Sequence, residues 1–204
     1  MIRVVSKKDS VNFADLFKQM FTARSHVFHD RMKWSVVIKD GLEKDIHDEG
    51  QDATYVIVVD DDGDALGSLR LLPTAGQTML KNEFSTFFDE LVDIADPYTW
   101  ECTRFCVHPL AANKGIASAQ VSAELLIGLC DLCLRSGIAR IVGLYDRSMT
   151  HIYRRIGWTP TPVFRSRPEF GNLEVGVWEA TPAALQSMKV RWKRPISIDQ
   201  RSVA

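Results

Sequence analysis

At 204 residues, 46% hydrophobic and 25% charged, the chain has material for one well-packed domain, and two full domains would be cramped. A formal charge of −1 gives no pull toward nucleic acid. The apolar runs, such as Val121–Cys130, are too short and interrupted for a membrane span, and M-I-R-V-V-S-K-K-D lacks the apolar core of a secretion signal, so a cytoplasmic protein without a membrane anchor is expected.

Ile2–Val5 reads as a first strand. From about Ser10 to His29, Phe13, Leu16, Phe17, Met20, Phe21 and Phe28 recur at helical spacing, with Asp9 or Ser10 as cap. Arg24 falls on that apolar stripe, where it either snorkels outward or is held by carboxylates of the following loop; the second is favoured. Residues 30–52 have no clear period and carry Trp34, Asp45 and Asp48, as a functional loop or lid would. Thr54–Val59 and Ala65–Leu72 predict a hairpin turning at Asp61-Asp62-Gly63, with Arg70 among apolar neighbours. Met79–Val92 predicts a short helix.

Trp100–Val107, W-E-C-T-R-F-C-V, reads as a buried strand, yet it carries Glu101 and Arg104. Residues three apart on a regular strand face opposite ways, so a shared pocket requires a kink or bulge near Cys102–Phe105. After His108-Pro109, a loop with Gly115-x-Ala117 precedes an apolar helix to about Arg135, an arrangement whose backbone N–H groups can hold phosphate. Ile138–Tyr145 is the next strand, Ser148–Ile156 a helix closed by Gly157, and Pro162–Arg167 and Leu173–Glu179 the last strands. Thr181-Pro182 opens a terminal helix and basic tail, 181–204.

The order predicts a single α/β domain spanning 1–204, a three-layer α/β/α sandwich around a mixed sheet, resembling the GNAT acyltransferase fold. Cys102, Cys106, Cys130 and Cys133 could pair as zinc ligands, but Cys130 and Cys133 lie inside an apolar helix with no turn to form a ligand knuckle. Four core thiols and no metal are expected. Charge is polarised along the chain: ten acids against Lys44 between Asp40 and Asp64, and seven arginines against Asp146 between Arg135 and Arg167. The second run is either solvated surface or a basic dock for an acidic partner.

Arg24, Phe28, Trp34, Asp45, Asp48, Arg70, Glu101 and Arg104, in that order, resemble the signature of acyl-homoserine-lactone synthases, the autoinducer synthases of quorum sensing. The resemblance includes R-x-x-x-F, W-E-C-T-R-F and I-Y-R-R-I-G-W and runs to about Trp178. It implies transfer of an acyl group from acyl carrier protein, with acyl-CoA as the other possible donor, to the amine of S-adenosylmethionine (SAM). Lactonisation then releases methylthioadenosine; SAM is a substrate and no cofactor is implied. Under this resemblance Trp34 and Phe28 face the sulfonium and adenosyl part. Asp45 and Asp48 hold the ammonium or tie down Arg24 and Arg70. Arg104 meets the SAM carboxylate with a fork of donors. Glu101 is the candidate base, and backbone N–H groups around Phe105 and Cys106 polarise the thioester. The alternative reading makes the acids and arginines a structural ion-pair network. Arg147, Arg154 and Arg155 are docking candidates for acyl carrier protein, with Lys114 near its phosphopantetheine. Gly143, where relatives using 3-oxoacyl donors often carry Ser or Thr, points to an unsubstituted or 3-hydroxy acyl chain. An acetyl-CoA-dependent GNAT enzyme and a non-catalytic sensor of SAM or acyl chains are the rival readings.

Overall fold

The computed structural model describes residues 1–50, 53–90, 92–192 and 198–199. In chain order its elements are β1 (Ile2–Ser6), α1 (Ala14–Arg24), a π-helical turn (Ser25–Arg31), β2 (Ile38–Lys39), β3 (Leu42–Glu43), α2 (Ile46–Glu49), β4 (Thr54–Val59) and β5 (Ala65–Pro73). They continue with β6 (Thr99–Val107), α3 (Pro109–Asn113), α4 (Ser118–Ser136), β7 (Arg140–Asp146), α5 (Thr150–Ile156), β8 (Thr161–Arg165), β9 (Leu173–Glu179), α6 (Pro182–Arg191) and β10 (Ile198–Asp199). Lys193, Arg194 and Arg201 of the basic tail lie outside the described residues. None of the described helices is long and apolar enough to cross a membrane.

The chain divides into two compact units, with the division passing through β5, β6 and α4. The first holds Met1–Leu71 and Arg104–Gly128, with β10. Its strands run β10-β1-β4-β5 and on to the C-terminal half of β6, with β1 parallel to β10 and antiparallel to β4, and β4 antiparallel to β5. Glycines let helix α4 lie flush on this sheet: a Cβ at Gly67 would stand 2.4 Å from Val121 Cγ1, and one at Gly128 would stand 2.6 Å from Ile2 Cδ1. The second unit holds Leu72–Thr103 and the chain from Leu129 to the end of α6. Here the first half of β6 runs parallel to β7, which pairs antiparallel with β9, and β9 with β8. The expected α/β class with a mixed sheet holds.

Three local expectations change. The first helix is α-helical only over Ala14–Arg24 and then widens into the π-turn Ser25–Arg31. Loop 30–52 contains a two-residue ribbon, β2–β3, turned at Asp40-Gly41, followed by the single turn α2. Met79–Val92 forms no α-helix among its described residues; its one regular piece is a 3-10 turn at Ser85–Phe87. A helix there loses to competition, because Met79 N and Leu80 N donate to the Glu101 carboxylate at 2.8 and 3.1 Å.

In the first unit, buried His108 joins β6 to β5. The Ala65 carbonyl can only accept, so the 3.1 Å contact places the proton on Nδ1 and leaves Nε2 to accept from Ser68 Oγ at 2.9 Å. Burial pushes the imidazole down to about 4, from an ordinary value of 6.5. Folding therefore favours the neutral ring. Its stability contribution is complete above about pH 6.5 and declines as pH falls toward 4, a difference of about 3 kcal/mol. The denaturant midpoint should drop across that interval in wild type and drop less in His108→Gln. Equal slopes in both would remove His108 as the source.

Candidate active site

Asp45 and Asp48 stand three residues apart because they form a reciprocal cap on α2. Asp45 Oδ1 accepts from His47 N and Asp48 N at 2.9 and 3.2 Å, and Asp48 Oδ2 accepts from Asp45 N at 3.0 Å. The cap fixes both carboxylates and leaves lone pairs for guanidinium groups. Arg24, the last residue of α1, forks onto Asp48 with Nη1–Oδ1 at 3.0 Å and Nη2–Oδ2 at 2.8 Å. Its Nε reaches Glu43 Oε2 at 2.5 Å. Arg70, from β5, forks onto Asp45 at 2.5 and 2.9 Å and reaches Asp48 at 2.9 Å. Arg104, from β6, meets Glu43 at 3.1 Å through Nε and Asp45 at 3.0 Å through Nη2.

These contacts close on themselves. Every arginine bridges two acids and every acid two arginines, in the order Arg24–Glu43–Arg104–Asp45–Arg70–Asp48 and back to Arg24. Three positive and three negative charges cancel, which offsets part of the cost of burying the ring. Tyr55 donates to Asp48 Oδ1 at 2.8 Å. Burial opposes ionisation of Asp48, but the charges and hydrogen bonds of Arg24, with Arg70, hold its carboxyl well below the usual range. Burial likewise opposes the charged form of Arg24, and Asp48, with Glu43 and Asp45, overrides it and raises the group. Burial and the Asp48 charge push the Tyr55 phenol up, so it stays a neutral donor.

The ring is buried, and its members differ slightly in exposure. Side chains of Arg24, Glu43, Asp48 and Arg70 are 0–1% exposed, whereas Arg104 is 8% and Asp45 13% exposed. Arg104 and Asp45 are the most exposed members of the ring. The backbone bends within the stretch Cys102–Phe105, where a kink was expected: Arg104 has φ +53°, a left-handed conformation uncommon for a side-chain-bearing residue. The burial alternation of β6 slips phase at Arg104–Phe105. Phe28, on the π-turn, stacks on Trp34 with ring centroids 5.2 Å apart at 17° and has the Arg104 guanidinium 5.5 Å from its centroid. Its ring is thus engaged by Trp34 and Arg104. Trp34, 45% exposed and held by its N–H to the Phe28 carbonyl at 2.9 Å, carries the open aromatic surface.

Other expected site residues sit elsewhere in the two units. Phe105 follows the Arg104 bend, half-buried. Lys114 Nζ bridges Asp60, Asp62 and Asp64 of the β4–β5 turn, so its charge is already engaged by three carboxylates. In the second unit, Glu101 is fully buried with its carboxylate on the Met79 and Leu80 amides. A Cβ at Gly143 would lie 3.1 Å from the Cys102 carbonyl and 3.6 Å from the Trp178 ring. Arg147, Arg154 and Arg155 are exposed, and Arg147 lies 3.7 Å from Glu174. The four cysteines are free thiols, with burial pushing Cys106 up to about 11.

Sequence reasoning passed over Glu43 and Tyr55. Glu43 stood among ten acids with nothing to single it out, and its place depends on the short β2–β3 ribbon. Tyr55 read as one apolar position of a strand.

The model of the autoinducer synthase family matches residues 8–174. The chain belongs to that family. An acyl-homoserine-lactone synthase of Rhizobium etli is 48% identical over 194 residues, covering 95% of this chain and 91% of that protein. One of Agrobacterium fabrum is 32% identical over 159 residues, covering 77% and 75%. Among solved structures, the CoA-dependent acyl-homoserine lactone synthase BjaI, with SAM and isopentyl-CoA, superposes with a TM-score of 0.86 at 21% identity, covering 100% of this chain and 94% of that one. A GNAT-family acetyltransferase of Staphylococcus aureus gives 0.53 at 9% identity, covering 89% and 100%, a likeness of fold. The protein is thus an acyl-homoserine-lactone synthase, an acyltransferase of autoinducer synthesis in quorum sensing. This decides against the acetyl-CoA enzyme and the non-catalytic sensor.

Proposed function

We propose that this synthase transfers an acyl chain from the thioester of an acyl carrier protein to the amine of SAM. A C–N bond forms as the thioester C–S bond breaks and the carrier thiol departs. The methionyl carboxylate then attacks its own γ-carbon, breaking the sulfonium C–S bond and releasing methylthioadenosine. The observation that carries the reading is the neutral ring with Arg104 and Asp45 as its most exposed members. Arg104 offers donors to the SAM carboxylate, Asp45 an acceptor to its ammonium, and Trp34 an aromatic face to the adenosyl and sulfonium part. Arg24, Arg70, Asp48 and Glu43 hold Arg104 and Asp45 in place. Backbone N–H groups around Phe105 and Cys106 are assigned to the thioester oxygen.

Glu101, fully buried on β6 with its carboxylate on the Met79 and Leu80 amides, is assigned as the base. Glu101→Gln tests this, because it turns one acceptor into a donor facing a backbone N–H. It should lower stability by about 1–3 kcal/mol and lower turnover far more than that loss explains at temperatures where the variant is folded. Turnover near wild type in folded Glu101→Gln would leave Glu101 as an anchor of the 79–80 turn.

The apolar cluster of the second unit, with Leu80, Phe88, Val142 and Val175 at its centre and Phe84 and Phe164 against it, is assigned to the acyl chain. Glycine at 143 supports an unsubstituted or 3-hydroxy chain. The exposed arginines Arg147, Arg154 and Arg155 support an acidic protein donor. The deciding experiment offers SAM with matched acyl-carrier-protein and acyl-CoA thioesters and detects lactones by mass spectrometry. A kcat/KM higher for the carrier protein and falling with salt is expected. Preference for acyl-CoA overturns the donor assignment, and absence of any lactone overturns the reaction.

A further inference from the structure

Residues 74–98 join β5 to β6 with one 3-10 turn as their only regular element among the described residues, so side chains, not a ladder, fix their course. Glu101 fastens Met79 and Leu80. A second fastener lies on the β8–β9 connection. Arg167 donates from its backbone N to the Phe87 carbonyl at 2.8 Å and from Nη2 to the Thr86 carbonyl at 2.5 Å. The Arg167 guanidinium lies 5.1 Å from the Phe170 ring centroid, and Phe170 stacks on Phe87 at 4.3 Å and 11°. The connection is itself stiffened: Ser166 Oγ donates to the Gly171 carbonyl at 2.8 Å and accepts from Leu173 N at 3.2 Å. Phe87 touches Phe84, with centroids 5.2 Å apart, and Phe88 meets Phe164 at 6.3 Å, so the fastened backbone carries aromatic walls of the apolar cluster.

We propose that Arg167 and Phe170 form a clip that sets acyl-chain selection by fixing the Phe84–Phe88 wall. The inference rests on the assignment of that cluster to the acyl chain. Both are positioning residues, acting through Thr86 and Phe87. Releasing the clip lets the wall yield and admits longer chains, since a pocket discriminates by methylenes only as far as its walls hold.

The test supplies SAM with an equimolar series of straight-chain acyl thioesters and reads the lactone distribution. Arg167→Ala and Phe170→Ala should each shift the ratio of longer to shorter lactones by roughly fivefold or more, with KM for SAM unchanged. Phe170→Tyr, which keeps the stack, should restore the wild-type distribution. If an alanine variant melts below assay temperature, Phe170→Leu decides, since it keeps apolar bulk and removes the stacked ring. An unchanged distribution in the folded variants overturns the clip. Wild-type protein that makes no lactone from any thioester overturns the proposed reaction instead, so the two failures are distinguishable.

Discussion

Asp48→Asn should cost about 3–5 kcal/mol of folding stability and abolish lactone formation. Asp48 is a buried acid of the ring and serves two arginines, Arg24 by a fork and Arg70 at 2.9 Å, besides accepting from Tyr55 and from Asp45 N. Asparagine fills the same space, so no cavity contributes. What changes is charge: two buried guanidinium groups lose a shared counter-ion, and the amide turns donors toward them. The raised Arg24 group cannot escape by releasing its proton. Urea unfolding near neutral pH measures the effect as a lower midpoint at unchanged slope. A loss below about 1 kcal/mol would place the ring among solvated surface pairs and remove the reason for assigning its shape to a substrate.

How far the sequence disclosed this site differs residue by residue. Arg24 on an apolar stripe, Arg70 inside an apolar strand and Glu101 on a core strand were visible as charges that burial forbids without partners. The bend at Arg104 was visible as a geometrical demand, since residues three apart on a regular strand face opposite ways. Glu43 was not, because a two-residue strand has no period and an acid among many carries no signal. The π-turn that presents Phe28 was hidden too: its wider spiral follows from backbone bonds such as Met32 N to the Val27 carbonyl, and the side-chain spacing around it is that of an α-helix. Met79–Val92 misled for a related reason. Its apolar spacing is helical, but Glu101, distant in sequence, takes the amides that would start the helix. The Asp45-x-x-Asp48 spacing carried both meanings at once, a helix cap and two counter-ions, and only the fold shows that one arrangement serves both.

Arg104→Lys should reduce kcat/KM for SAM by roughly 100-fold or more, with the melting temperature much closer to wild type than in Asp48→Asn. Lysine keeps the positive charge, and the left-handed backbone at φ +53° burdens both residues equally, so strain cancels in the comparison. Geometry is what changes. Arg104 spends Nε on Glu43 and Nη2 on Asp45, and its planar fork holds both acids in fixed positions. An ammonium is a point donor and cannot hold two fixed acids and a ligand carboxylate in one plane. Calorimetric titration with SAM should show the loss in binding, and steady-state kinetics should show KM for the acyl thioester nearly unchanged, since the proposed acyl pocket draws on other residues. Retained SAM affinity in Arg104→Lys would make Arg104 a strut of the ring rather than a ligand for the carboxylate, and the contact to SAM would pass to Asp45 and Trp34 alone.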